Sequence, residues 1–136
     1  MRLFALAPDE IEATWPDYAH HFERFARERG DMSADQVRAA AMDGRAQIWG
    51  IQDADAVHAV VMTEVCATAL GNLCVIRIAS GASRVPIQER LLDEIGKWAR
   101  DQGCERVRIY GRRGWLRRFP RFKQTGVIAE WTLRTH

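Results

Sequence analysis

The chain has 136 residues, enough for one hydrophobic core and too few for two, so we expect a single domain over residues 1–136. Its 47% hydrophobic and 28% charged residues predict an ordinary globular protein and argue against a disordered one. Positive charge is unevenly distributed: eight of the twenty Lys and Arg residues lie in residues 106–123, the basic segment, which contains no acid. This segment faces either an external polyanion or the protein's own carboxylates, and the sequence leaves both interpretations open.

Helix signals and an apolar run divide the first third of the chain. The stretch MRLFAL predicts a first strand. Pro16 is expected in the first turn of a helix with one apolar stripe, which Gly30 ends. The sequence SADQ, from Ser33 to Gln36, is a capping-box signature and predicts a second helix.

The middle of the chain changes to alternating, extended patterns. The stretches AQIWGIQ, AVHAVVMTEVCAT and LCVIRIAS predict three consecutive antiparallel strands separated by turn residues. A second turn centred on Leu70 would place Cys66 opposite Cys74. In a reducing compartment we expect these two thiols to be neighbours without forming a disulfide.

The last third predicts a helix, a strand, a short helix and a final strand. The stretch PIQERLLDEIGKWARDQG has apolar residues on one helical face and ends at Gly103. CERVRIYG alternates as a strand, and RRGWLRRF predicts a short helix that Pro120 ends. VIAEWTLRT predicts the last strand. The fold class is therefore α/β, with a mixed, mostly antiparallel sheet flanked by helices.

Composition also limits location and metal chemistry. The N-terminal apolar run is five residues long, too short for a signal peptide or membrane span, so we expect a cytoplasmic protein without a membrane partner. The odd cysteine count and the absence of C-x-x-C spacing argue against a disulfide framework and a zinc site. His20 and His21 diverge by about 100° on a helix and are poorly placed to share an ion, so we expect no metal.

The stretch LLDEIGKWARDQGCERVRIYG, residues 91–111, resembles the GNAT superfamily of N-acetyltransferases, and the order of the predicted elements is similar to that family along nearly the whole chain. The GC pair followed by GRRGWLR, from Gly111 to Arg117, resembles a group of phage and prophage proteins of this fold. The resemblance implies a GNAT-like single domain.

The family binds the pyrophosphate of acetyl-CoA with a Q/R-x-x-G-x-G/A loop before the long helix, and the resemblance places this loop on residues 83–88. Here Pro86 replaces the first glycine and Gln88 the second small residue. Proline lacks an N–H group and glutamine adds a side chain, so the loop is expected to be degenerate and the protein to use no cofactor. An alternative alignment uses Gly81 and Ala82.

A catalytic alternative follows from the same resemblance. Ser83 and Arg84 would then hold the pyrophosphate of acetyl-CoA. Glu64 would act as the base and Tyr110 as the acid, although Glu64 is equally expected to pair with Arg77 on the next strand. Under this alternative the protein is an acyl-CoA-dependent N-acyltransferase with an atypical loop.

The main expectation is a catalytically degenerate, phage-type protein that acts in binding or as a virion-associated head or tail protein. Its partner would be a nucleic acid or an acidic virion protein, held by the basic segment. Trp115, within this segment, is expected to anchor the short helix to the core. No sequence-reading DNA module is visible. The candidate binding residues are Arg112, Arg113, Arg117, Arg118 and Arg121.

Overall fold

The structure is a computed structural model that describes residues 1–111 and 114–134. One sheet contains β1 (Arg2–Leu6), β2 (Gln47–Gln52), β3 (Val57–Thr68), β4 (Gly71–Gly81) and β5 (Cys104–Ile109). The helices are α1 (Ile11–Thr14), α2 (Ala19–Arg29), α3 (Ala34–Met42), α4 (Val85–Asp101) and α5 (Gly114–Arg118). The spatial order of the strands follows the chain; β1 to β4 pair antiparallel, and β5 pairs parallel with β4. The predicted mixed, mostly antiparallel sheet with flanking helices is confirmed.

Local signals placed most helix ends correctly. The capping box of α3 is formed, since the Gln36 N–H donates to Ser33 Oγ at 3.1 Å and the Ser33 N–H donates to Gln36 Oε1 at 2.8 Å. Gly30 ends α2 in the left-handed conformation, with φ of 75°. Pro16 instead lies in a separate 3₁₀ turn, and α2 begins three residues later at Ala19.

The sheet is covered on both faces. Helices α1 to α3 pack on one face against Ile48, Val60 and Met62. On the other face α4 buries Ile95 against Trp49. This arrangement follows from the amphipathic pattern of each helix, whose apolar stripe must be removed from water. No helix in the described ranges combines the length and the apolar character needed to cross a bilayer.

The turn between β3 and β4 shows that one predicted strand register is wrong. Cys66 pairs with Leu73, and Cys74 pairs with Val65. The loop contains two residues, so its centre falls between residues and not on Leu70 as predicted. Since neighbouring residues of a strand point to opposite faces, the two cysteines lie on opposite faces of the sheet.

The predicted final strand is wrong for the described residues. From Lys123 to Arg134 the chain has no regular secondary structure. Val127 and Trp131 are 82% and 87% exposed. The alternating pattern that suggested a strand specifies which side chains share a face, but a strand also requires a neighbouring edge to supply hydrogen bonds.

Candidate functional site

A bulge in β4 opens the sheet next to β5. Met62 of β3 pairs with Ile78 and Thr63 pairs with Ile76, so Arg77 is an extra residue without a partner in the ladder. Parallel pairing between β4 and β5 also stops here, at Ile76 and Ile109. The two strands separate beyond this point, and the edge of β4 that follows has no strand partner among the described residues.

A cavity of about 740 Å³ occupies this opening. Its walls come from α2, the ends of β4 and β5, and α5, and its volume is that of a site for a small organic molecule. Among the described residues, its lining contains four arginines and one acid, Glu28. The four arginines are Arg24, Arg29, Arg77 and Arg118. The cavity therefore favours an anionic or oxygen-rich ligand.

Arg24 is held at the cavity wall by neutral acceptors. Its Nη2 donates to His21 Nδ1 at 3.2 Å and to Ser80 Oγ at 3.3 Å. Because arginine only donates, His21 Nδ1 must accept, and Nε2 therefore carries the proton and donates to the Val57 carbonyl at 2.9 Å. Burial lowers the pKa of His21, in agreement with this neutral form. Arg24 has no carboxylate partner in the described residues, so its charge remains available to a ligand.

A histidine and an aspartate meet beside the same cavity. His58 lines the cavity, and its Nε2 lies 2.6 Å from Asp53 Oδ2. The other oxygen of Asp53 accepts from the N–H groups of Asp55 at 2.8 Å and Ala56 at 3.0 Å. These hydrogen bonds lower the pKa of Asp53 to about 2, with the largest effect from His58. Nδ1 of His58 has no hydrogen-bond partner in the described part of the chain and can accept a proton.

Tyr110 and Glu64, expected as acid and base, have different positions. Tyr110 lines the cavity and is 45% exposed. Glu64 does not line it and lies 3.5 Å from Arg77 Nε, the pairing that the sequence offered as an alternative. The Arg77 guanidinium also lies 5.8 Å from the centre of the Tyr110 ring. One arginine therefore contacts both residues, but only Tyr110 reaches the cavity.

The loop between β4 and α4 is short and constrained. Gly81 has φ of +102°, and an added Cβ would lie 2.6 Å from Ala59 Cα and closer still to the His58 carbonyl. Arg84 is the exposed N-cap of α4. Gln88 folds back, and its Nε2 donates to the Ser83 carbonyl at 3.2 Å. Ser83 Oγ and Gln88 Oε1 are buried without a hydrogen-bond partner in the described residues.

The basic segment does not present all its charges to solvent. Arg121 contacts Glu89, and its Nη1 lies 2.9 Å from Asp93 Oδ1. Arg117 and Arg118 are exposed, and Arg118 also lines the cavity. Arg112 and Arg113 lie outside the described residues. The segment is thus partly neutralised by α4 and partly directed toward the cavity and solvent.

Trp115 is half-buried, as its predicted anchoring role requires. Its ring centre lies 5.0 Å from that of Phe119, which is fully buried. Both rings pack with Ile76 and Leu92 below α5. This contact fixes α5 at one side of the cavity.

Sequence reasoning missed the pair of His58 and Asp53 and the role of Arg24. A usable signal exists, because Asp53 is the first of the turn residues DAD and His58 lies three residues after them, in the next predicted strand. An aspartate that accepts from backbone N–H groups two and three residues later is a common turn feature. The contact with His58 depends on side-chain rotamers, which the spacing does not reveal.

Several solved structures that are similar to this chain are described as acetyltransferases. An aminoglycoside acetyltransferase from an uncultured soil metagenomic sample, in complex with sisomicin, has a TM-score of 0.72 and 13% identity, over 98% of this chain and 96% of that one. A GCN5-related N-acetyltransferase from Ralstonia eutropha JMP134 has a TM-score of 0.70 and 14% identity, over 96% and 97% of the two chains. A possible acetyltransferase from Clostridium difficile 630 has a TM-score of 0.68 and 15% identity, over 98% of each.

No family model and no curated protein matches the sequence. At these low identities the likeness establishes the fold alone. The GNAT-like fold expected from residues 91–111 is therefore confirmed.

Proposed function

We propose that this protein transfers an acyl group from a coenzyme A thioester to an amine. The observation that carries the proposal is the cavity at the point where β4 and β5 separate, next to the bulge at Arg77. The similar structures support an amine acceptor, since one is described as an aminoglycoside acetyltransferase and another as an N-acetyltransferase. Their low identity leaves the acceptor of this protein open.

The residues around the loop fit an acyl-CoA. Its pyrophosphate would be held by Arg84 and by the free N–H groups of the first turn of α4, although Pro86 contributes none. The unpaired Ser83 hydroxyl adds a donor that a phosphate oxygen could satisfy after a small movement of the loop. The unpaired edge of β4 suits the amide-containing arm of coenzyme A. When bound, this molecule supplies the acyl group as a thioester.

His58 is the best-placed group to remove a proton from the acceptor amine. Its Nε2–H is fixed by Asp53, which leaves Nδ1 as a proton acceptor beside the cavity. His21 cannot serve, because both of its nitrogens are engaged. Glu64 is held by Arg77 and lies outside the cavity lining.

Tyr110 is positioned to donate a proton at the cavity. It lies directly after β5 at the open end of the sheet, and its phenol hydroxyl is a hydrogen-bond donor. Tyr110 therefore keeps the acid role that the resemblance assigned to it.

Calorimetric titration with acetyl-CoA at near-physiological salt tests this function. We expect micromolar binding, about −8 kcal/mol, and at least a tenfold loss in Arg84→Ala. Arg100→Ala is the matched control, because Arg100 is an exposed arginine at the opposite end of α4. Absence of detectable binding by the wild-type protein would overturn the proposal and favour the degenerate loop expected from Pro86.

A second candidate function is polyanion or acidic-protein binding by the basic segment, in a phage-type or virion-associated role. Its support is that Arg117 and Arg118 are exposed and have no carboxylate partner in the described residues. The ion pairs of Arg121 with Glu89 and Asp93 of α4 weaken this second proposal, because they neutralise part of the positive charge of the basic segment. This function requires no coenzyme.

A further inference from the structure

The C-terminal segment, residues 126–134, exposes large apolar side chains in an alternating pattern. Val127 and Trp131 are more than four-fifths exposed, as is Leu133 at 81%. Ile128, next to Val127 in the chain, is 69% exposed. Such a concentrated apolar patch on a soluble protein marks a surface that a partner covers.

The sheet of the same chain has an unpaired edge. β5 is an outer strand and pairs only with β4 among the described residues. Its Val107 and Ile109 are half-buried and pack toward α4 and α5. An uncovered edge with apolar side chains on one face is a template for a further strand.

The C-terminal segment and this edge match in their apolar pattern, and one acid of the segment can meet the arginines of β5. An antiparallel pairing that puts Trp131 on the face of Val107 and Ile109 also puts Val127, Ala129 and Leu133 there, because strand side chains alternate. The same pairing places Glu130 on the face of Arg106 and Arg108. Glu130 is the only acid after Glu105, so this contact brings the segment's single negative charge to the arginines of β5.

We propose that a second copy of this chain covers the C-terminal segment, with each copy adding its segment to the β5 edge of the other. Within one chain the C-terminal segment does not cover the β5 edge. The chain just before the segment is nevertheless fixed on α4, by buried Phe119 and by the ion pairs of Arg121. In a dimer with two-fold symmetry, the segment of each copy pairs with the β5 edge of the other, so both edges are covered and no further copy can add. The apolar segments are then buried without forming an open chain of molecules.

Light scattering coupled to gel filtration tests the assembly. We expect the wild-type protein to have the mass of two chains at micromolar concentration, and Trp131→Arg to have the mass of one. Met42→Arg is the matched control, because Met42 is 41% exposed at the end of α3, on the sheet face opposite α4, and it should remain dimeric. Circular dichroism of Trp131→Arg should keep the helical signal of the wild type, since the side chain is 87% exposed and makes no core contact within one chain.

Hydrogen exchange of the amides of residues 127–133 supplies a second measurement. In the proposed dimer these amides are protected, because each pairs with β5 of the other copy. A monomeric wild-type protein would overturn the proposal, even with protected amides, because the segment would then pair within its own chain. A dimer that persists in Trp131→Arg, with unprotected amides, would equally overturn it by requiring another surface.

Discussion

Nε2 of His58 lies 2.6 Å from Oδ2 of Asp53, and the second oxygen of the same carboxylate is held by two backbone N–H groups of the turn. The carboxylate is thus fixed before it meets the imidazole. A histidine oriented in this way keeps one nitrogen as a donor and the other as an acceptor. The turn between β2 and β3 therefore places a defined proton acceptor beside the cavity.

Replacing His58 tests the base. If His58 accepts the proton of the amine, His58→Asn should lower kcat/KM for amine acylation by about 10² to 10⁴. Binding of acetyl-CoA, measured by calorimetry, should remain unchanged. His20→Asn is the control, because His20 is exposed and does not line the cavity. A larger loss in Glu64→Gln than in His58→Asn would restore Glu64 as the base.

Acid stability should depend on Asp53. Its pKa is about 2 in the folded protein and about 3.9 in an unfolded chain, so its charged form contributes stability above pH 4. That contribution is lost as the pH falls from about 4 toward 2. Asp53→Asn should therefore flatten the fall of the urea midpoint on acidification. Asp55→Asn, which keeps the turn backbone, should show the wild-type pH dependence.

A buried hydroxyl links three side chains in the sheet. Thr63 is fully buried; its Oγ1 accepts from Trp49 Nε1 at 3.0 Å and donates to Gln47 Oε1 at 2.9 Å. Thr63→Val keeps the shape but leaves the indole N–H without its acceptor, so we expect a loss of about 1–3 kcal/mol in unfolding free energy. Urea denaturation measures it, with Thr125→Val at an exposed position as the control. An unchanged midpoint would mean that the indole finds another acceptor.

Gly81 should tolerate no side chain. A Cβ would collide with the backbone of β3, and φ of +102° is strained for any other residue. Gly81→Ala should lower the melting temperature and weaken acetyl-CoA binding, because the loop must move. Gly96→Ala is the opposite case, since Gly96 lies within α4 with open space around it. We expect this variant to gain up to about 1 kcal/mol in unfolding free energy. Equal stability of the two variants would contradict the tight contact.

Within the basic segment, Arg117 and Arg118 should behave differently from Arg121. Under the second candidate function, Arg117→Ala combined with Arg118→Ala should reduce affinity for a single-stranded oligonucleotide and lower its salt dependence, as fluorescence anisotropy measures. Arg121→Ala should mainly reduce stability, because Glu89 and Asp93 lose their partner. If Arg121→Ala weakened oligonucleotide binding most, the ion pairs on α4 would have to open in the complex.

Local signals predicted the helices well, because Ser33, Gln36 and Gly30 act on the backbone within one turn. Strand alternation predicted β1 to β5, since one face of each element is buried. The predicted pairing of Cys66 with Cys74 was wrong because the length of the turn sets the strand register. The predicted last strand was wrong because a strand needs a neighbouring strand to pair with, and the segment has none within the described chain. The contact of Asp53 with His58 and the pairing of Arg121 depend on tertiary packing, which no local pattern encodes.

The two-residue turn between β3 and β4 also affects which cysteines of the protein can react with oxidants. By shifting the register one position, it directs the sulfur atoms of Cys66 and Cys74 to opposite faces, beyond the reach of a bond between them. Burial raises the pKa of Cys74 to about 12 and also raises that of Cys104, so both remain unreactive thiols. Among the three cysteines, oxidation should therefore reach half-buried Cys66 first, while Cys74 and Cys104 keep their packing in the core beneath α4.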